Sequence, residues 1–271
     1  MSSTRSASWM PSASRGIGER GPESEYMLVL ANGAFKSGST WLYYAVGRLT
    51  GFPPPPDAFR NPRWLTPSID PEKLADALAR LDYHVDDYMA KTHFWKPEQR
   101  DLILSHDDVY VLNIKRDLRD VVVSAYYHKC RNSGYEGSFR HFYWQRGREV
   151  AQQVADYHEL WSLRSSRVHT SSFERMIEHG ADELRRIGGF LGLHPTDEVI
   201  EDILAFLQID HIRRAMGQEH DKMPFFRKGV AGDWKNHFTA EITEDFEEWC
   251  LNRDRDTGHG TALHDEYGQT S

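Results

Sequence analysis

The sequence predicts an α/β fold, a single three-layer domain in which helices flank a central parallel sheet. Three observations carry that expectation. Strand-length apolar runs alternate with segments of helical periodicity along most of the chain. The run Val109-Tyr110-Val111-Leu112-Asn113-Ile114 is apolar almost throughout, as a strand covered on both faces is. The 271 residues suffice for one large domain with a real core, and no internal repeat or inner boundary divides them.

Each element has a local cause. Met27–Ala31 is a short apolar run that ends in an Asn32-Gly33 turn, which makes it a buried strand. A helical pattern over about 39–49 is stopped by Gly51, and Pro53–Pro56 forms a stiff connector. Asp70-Pro71 is an N-cap and first-position pair for a helix through Leu81. Asp87–Thr92 reads as a strand, and Lys96-Pro97 opens a helix to about Ser105. The 109–114 strand precedes a helix over about 118–129. Helical periodicity returns over roughly 138–165, 181–191, 196–216 and 240–250, with a short strand near 167–170.

Residues 1–25 are rich in Ser, Arg and Gly without apolar periodicity and read as a disordered tail. Residues 1–15 also lack acidic side chains, a trait of transit peptides, and Met27 is an alternative start. The domain is expected over 26–253, followed by a polar tail over 254–271.

Composition narrows the partners. A net charge of −8 argues against a general role on nucleic acid or an anionic membrane, so any bound anion needs locally concentrated Lys and Arg. No apolar run approaches the ~18 residues of a membrane span. Cys130 and Cys250 form neither a CxxC pair nor a disulfide framework, which points to a reducing, cytoplasmic compartment and away from structural zinc.

The stretch Gly33-Ala34-Phe35-Lys36-Ser37-Gly38-Ser39-Thr40 joins a strand to a helix, where backbone N–H groups and the helix dipole can hold a phosphate. Its glycines have the spacing of the nucleotide-triphosphate loop GxxxxGK[ST], but Ser39 stands where the lysine belongs. A lysine sits three residues earlier, at Lys36. No acidic residue is placed to bring magnesium, so the loop reads as an anion cradle that works without metal. The residues alone leave two alternatives open, an ordinary Gly/Ser connection and the phosphate loop of a small-molecule kinase.

The wording Lys36-Ser37-Gly38-Ser39-Thr40-Trp41 resembles the KSGTTW signature of the cytosolic sulfotransferase family. Three further stretches resemble that family in its order. They are Lys91-Thr92-His93, then Arg116 to Ser124 with Tyr126-Tyr127-His128, and finally Phe226-Arg227-Lys228-Gly229 with Gly232 to Thr239. The resemblance implies a fold related to the nucleotide kinases. It also implies a donor, 3′-phosphoadenosine-5′-phosphosulfate, and a hydroxyl or amine acceptor on a small molecule. By it, Lys36, Ser37, Gly38, Ser39, Thr40 and Trp41 would surround the 5′-phosphosulfate, with Trp41 near the adenine. Arg116 and Ser124 would bind the 3′-phosphate, and Arg227, Lys228 and Gly229 would close on it. His93 would be the catalytic base, and Lys36 would steady charge on the leaving oxygen.

The chain also departs from the family pattern. Phe173 replaces a tyrosine on the adenine side, and the adenine contacts within 205–222 are not clearly present, although His211 and Arg213 fall nearby. The segment before Met223-Pro224 is short, which suggests a reduced lid. Lys235, Thr239 and Glu244 match the family's dimer motif, with Ala240 in place of its valine. Trp234 reads as core, Asp120 as a charge balancing the helix dipole, and His237 carries no assigned chemistry. A non-catalytic nucleotide-binding protein with a relic site is the third reading, which the retained Lys36 and His93 oppose.

Overall fold

Strand β1 (Leu28–Gly33) is buried at all six positions, because it runs down the middle of the sheet. The computed structural model describes residues 27–62, 66–81, 86–208 and 229–255. Helix α1 (Ser39–Thr50) follows β1, and α2 (Leu74–Arg80) leads to β2 (Tyr88–Thr92). Helix α3 (Pro97–Leu104) precedes β3 (Val109–Lys115), which feeds α4 (Leu118–Ser133). Then come α5 (Phe139–Phe142), α6 (Arg148–Leu160), β4 (Val168–Ser172), α7 (Phe173–Glu178), α8 (Gly180–Phe190), α9 (Asp197–Phe206) and α10 (Ala240–Arg255).

The strands pair in the order β2-β1-β3-β4, all parallel. Alternation sends successive side chains to opposite faces. Leu28, Leu30, Ala90, Val109 and Val111 meet the side of the core built with Val121, Val122 and Val154 of α4 and α6. Val29, Ala31, Met89, Leu112 and Ile114 meet the side built with α1, α8 and α9, through Leu42, Val46, Leu184, Ile187, Ile200 and Ile203. Each face therefore has its own helical cover, giving the three layers expected from the apolar runs.

The register aligns Asn32 with Thr92 on one side and Asn113 on the other, while Lys115 lies opposite Ser172. The carboxyl ends of all four strands thus reach one edge of the sheet. From β1 the chain returns through α1 to β2 on one side, then crosses to β3 on the other. The loop after β1 sits at that reversal, the usual place for a ligand in an open parallel sheet.

The expected helix over 138–165 proved more segmented. It runs through α5, a π-helical turn over Tyr143–Gly147 and α6, and it ends at Leu160. The π turn wraps Tyr143, which is wholly buried and donates its hydroxyl to Asp245 Oδ2 at 2.5 Å. Gly147 has no side chain because a Cβ there would lie 2.7 Å from the Tyr143 ring. The helix expected through Leu81 starts as a 3₁₀ turn at Pro71–Lys73, with the Asp70 carboxylate accepting from the Glu72 N–H. The helix expected over 196–216 is α9 as far as Phe206, and 209–216 lies outside the described residues. The 1–25 and 256–271 parts of the expected tails also lie outside them.

Asp120 stands in the first turn of α4, where a charge balancing the helix dipole was expected, and it is also buried. It is 1% exposed, and it accepts from Gly232 N–H at 2.6 Å and Trp234 N–H at 2.8 Å. One buried carboxylate therefore anchors the segment before α10 to α4. Trp234 lies against the core, as expected, with the Arg119 guanidinium 3.8 Å from its ring. Removing Asp120 leaves two buried N–H groups unpaired. Asp120→Ala is expected to cost about 2–4 kcal/mol in urea denaturation, and Asp120→Asn, which keeps one acceptor oxygen, less than half of that.

Candidate active site

The loop after β1 is shaped by close contacts rather than by freedom. A Cβ on Gly33 would come within 2.7 Å of Ile114 Cγ2, so the turn can leave the sheet there only without a side chain. Ser37 N–H bonds to Ala34 O at 3.2 Å, closing a tight turn around Lys36. Lys36 has φ 62°, the one non-glycine residue with positive φ among those described. A left-handed residue with a Cβ costs about 1–2 kcal/mol. The Lys36 carbonyl is held in return by Arg116 Nη1 at 3.2 Å. Gly38 follows at φ 97°, and a Cβ there would lie 2.7 Å from Phe173 Cδ2.

Helix α1 begins behind this turn with unused donors. Its first ladder bond is Leu42 N–H to Gly38 O at 3.0 Å, so the N–H groups of Ser39, Thr40 and Trp41 lie ahead of the ladder. Gly38 offers no side-chain cap. The Ser37 hydroxyl is wholly buried and has no hydrogen-bond partner among the described residues. Free N–H groups at a helix start beside an orphaned hydroxyl suit an anion.

Three cationic side chains surround the loop. Lys91, at the end of β2, donates from Nζ to Thr40 Oγ1 at 2.8 Å. Arg116, just past β3, donates from Nη2 to Val230 O at 3.3 Å and lies 4.3 Å over the Phe173 ring. Lys36 Nζ lies 5.4 Å from the Phe35 ring, which in turn meets His128 of α4 edge-on at 5.1 Å. Burial pulls the Lys36 ammonium down to a pKa of about 7, and the charges of Arg116, Lys91 and Arg131 add to the shift. Burial alone lowers Lys91 to about 8.

His93 stands one residue beyond β2. Its Nδ1 lies 2.6 Å from the Gly33 carbonyl, which can only accept, so Nδ1 carries the proton and Nε2 the lone pair. Burial, with the charge of Lys91 adding to it and the bond to Gly33 opposing, lowers its pKa to about 3. The imidazole is therefore neutral, in the tautomer a base needs, throughout the physiological range.

The remaining expected site residues fall at two distances from this group. Ser124 is half-buried on α4, one turn beyond Asp120 and one turn before His128, on the helix side facing the loop. Gly229, with φ 66°, adjoins the Val230 carbonyl that Arg116 holds. Phe173 is buried beneath Arg116 and against Gly38. Trp41 is set farther back, 6% exposed, with its indole N–H on Leu207 O at 3.3 Å. Arg227 and Lys228, like His211 and Arg213, lie outside the described residues. His237 contacts Asp233 Oδ2 at 3.2 Å and the Tyr127 ring, away from the loop. Among the described residues no cluster of His, Cys, Asp and Glu could hold a metal ion.

Lys91 received no role from the sequence, although it shares a triplet with His93. Its signal was the spacing. Two residues apart at a strand end, Lys91 and His93 project to the same side of β2.

A family model described as a sulfotransferase domain matches residues 29–258. The chain belongs to the sulfotransferase family. Among its relatives is human sulfotransferase 1E1 (Homo sapiens), 26% identical over 193 residues, which cover 65% of this chain and 65% of that protein. The match to that sulfotransferase thus spans just under two-thirds of its length. Cytosolic sulfotransferase 1 of Danio rerio is 25% identical over 244 residues, covering 79% of this chain and 78% of the relative. In three dimensions the chain resembles mouse sulfotransferase SULT7A1 complexed with PAP, with a TM-score of 0.65 at 21% identity over 86% of both chains. It also resembles a retinol dehydratase in complex with androsterone and the inactive cofactor PAP, with a TM-score of 0.60 at 21% identity, over 86% of this chain and 82% of that one. These two likenesses establish the sulfotransferase architecture.

Gly38→Ala tests the loop directly. The left-handed φ and the Phe173 contact together are expected to lower stability by about 2–3 kcal/mol, read as a lower midpoint in thermal or urea denaturation.

Proposed function

We propose that the chain transfers a sulfuryl group from 3′-phosphoadenosine-5′-phosphosulfate to a hydroxyl or amine of a small acceptor, releasing 3′-phosphoadenosine 5′-phosphate (PAP). The observation that carries this reading is the pairing of His93 with the loop. The bond to Gly33 O leaves Nε2 as the acceptor of a proton, and Gly33 lies three residues before Lys36 in the same loop. The orphaned Ser37 hydroxyl and the free N–H groups of α1 fit the anionic donor.

The donor supplies a sulfur–oxygen bond that breaks as the acceptor oxygen or nitrogen bonds to sulfur. His93 Nε2 takes the acceptor proton during that exchange. Negative charge brought beside His93 raises its pKa from about 3 and strengthens it as a base. Lys36 steadies the charge that gathers on the bridging oxygen left on the 5′-phosphate. Lys91, held against Thr40, contributes a second ammonium to the same group. Ser37, Gly38, Ser39 and Thr40 bind its oxygens with backbone and hydroxyl donors. Arg116 and Ser124, with Arg227, Lys228 and Gly229, hold the 3′-phosphate, and Trp41 and Phe173 lie towards the adenine.

Exposed Lys235, Thr239 and Glu244 are our candidates for a homodimer contact. Thr239 already caps α10 through its hydroxyl, accepting from Ile242 N–H at 3.3 Å. A single monomer mass in sedimentation at micromolar protein would remove the dimer. Both cysteines are free, in keeping with a cytoplasmic setting, and no described helix is long and apolar enough to cross a membrane.

Transfer of radiolabelled sulfate from the donor to phenols, alcohols and amines is the direct test. Lys36→Ala and His93→Ala are each expected to lower kcat at least about a hundredfold, with PAP binding better preserved in His93→Ala. PAP is expected to raise the melting temperature without magnesium and ATP to do much less; the reverse order would favour a kinase.

The lysines make binding pH-dependent. Both must be charged to hold an anion, and their pKa values are about 7 and about 8. PAP affinity is therefore expected to be highest below pH 7 and to fall as pH rises through those values. Calorimetry in buffers of different ionisation enthalpy should show proton uptake on binding above pH 7.

A further inference from the structure

The roles above leave one buried side chain next to the base unused. Backbone pairing between β1 and β2 ends at Asn32 and Thr92, because β1 turns into the loop at Gly33. His93 lies beyond that last pair, where a strand end would ordinarily fray. The wholly buried Asn32 side chain carries the pairing one residue further. Its Oδ1 accepts from Thr92 Oγ1 at 3.0 Å and from Phe94 N–H at 3.3 Å. The residues on both sides of His93 therefore hang from a single oxygen. The next residue, Gly33, supplies the carbonyl that accepts from the His93 ring.

Helix α6 backs this arrangement. Trp161 Nε1 donates to the Phe94 carbonyl at 2.8 Å. The Tyr157 hydroxyl, raised by burial well above its ordinary pKa, sits beside the Asn32 carboxamide and the Gly33 backbone, which oppose that shift. The carboxamide is held through its oxygen, while its Nδ2 and the Tyr157 hydroxyl have no hydrogen-bond partner among the described residues.

We propose that Asn32 is a positioning residue for His93. Its oxygen ties the Thr92 side chain before the imidazole to the Phe94 backbone after it and so sets the direction in which Nε2 meets the acceptor. The inference rests on the sulfuryl-transfer reading, and it makes β1 the common support of the base and of the loop that carries Lys36.

Three variants test it. Asn32→Ala removes both bonds and is expected to lower kcat about tenfold to a hundredfold, with the donor KM and PAP affinity changed less than about threefold. Asn32→Asp keeps an acceptor oxygen in place and is expected to recover much of that loss. The same substitution should move the acid limb of the kcat profile to higher pH, because nearby negative charge favours the imidazolium. Thr92→Val removes one of the two bonds at nearly constant volume and is expected to give a smaller loss of kcat in the same direction. It decides the matter if Asn32→Ala does not fold.

Nitrogen NMR of the His93 ring reads the link without turnover. Wild-type protein should show the Nδ1–H tautomer, and the folded variants a shifted or exchange-broadened ring. Two results would overturn the proposal. One is a folded Asn32→Ala or Thr92→Val protein with kcat within twofold of wild type. The other is equal loss of kcat and PAP affinity with an unchanged His93 spectrum. Wild-type protein that moves sulfate to no acceptor, while its His93 spectrum still responds to Asn32, would sink the sulfuryl-transfer reading and leave the Asn32–His93 link standing.

Discussion

The parallel register of the sheet is the constraint from which the site follows. Asn32 aligned with Thr92 and Asn113, and Lys115 aligned with Ser172, bring four chain reversals to one edge. His93, Arg116 and Phe173 each lie at the first residue after a strand, and Lys36 three residues after β1. A slip of one residue in any strand would turn its apolar side chains to the wrong face. The two cores, filled by alternate residues of β1, β2 and β3, oppose such a slip in those strands. Packing energy in the sheet is thereby converted into placement of polar groups at its end.

That edge gathers positive charge in a chain whose net charge is −8. Burial depresses the pKa values of Lys36 and Lys91, and for Lys36 the charges of Arg116, Lys91 and Arg131 add to it, so the grouping is unfavourable without an anion. Neutral partners hold the cations in place. Lys91 rests on the Thr40 hydroxyl, and Arg116 on the Lys36 and Val230 carbonyls and the Phe173 face. Carboxylates directly paired with these cations would relieve the repulsion, but they would also compete with an anionic ligand. The nearby carboxylate of Asp120 is spent on two backbone N–H groups instead. The positive field at the sheet edge suits an anion.

What the sequence revealed follows from how local each signal was. The central strands β1 and β3 were legible because burial on both faces leaves nearly continuous apolar runs, and the loop because its two glycines and Lys36 lie within eight residues. The π turn at Tyr143–Gly147 was hidden, since one inserted residue barely alters a helical pattern, and the Asp245 partner of Tyr143 lies 102 residues away. The anchoring role of Asp120 was hidden for the same reason, its partners being 112 and 114 residues away. Trp41 was expected close to the ligand, and its indole lies against Leu207, a contact 166 residues long that no pattern in the chain announces. The resemblance supplied roles for motif residues, whereas Lys91 emerged from its hydrogen bond to Thr40 of α1 and Asn32 from its bonds to Thr92 and Phe94.

The polar row Thr92–Asn32–Asn113 shows where stability has yielded to placement. All three residues are wholly buried in adjacent strands at one level of the sheet, one step before its edge. Apolar residues there would avoid the cost of burying amides, and neither polar atom of the Asn113 carboxamide has a hydrogen-bond partner among the described residues. Asn32 offsets part of its own cost with the bonds to Thr92 and Phe94. A valine in its place would satisfy the core and still leave the chain around His93 without its second support. The sheet interior therefore changes from apolar to polar at the level where the strands stop being scaffold and begin to aim side chains.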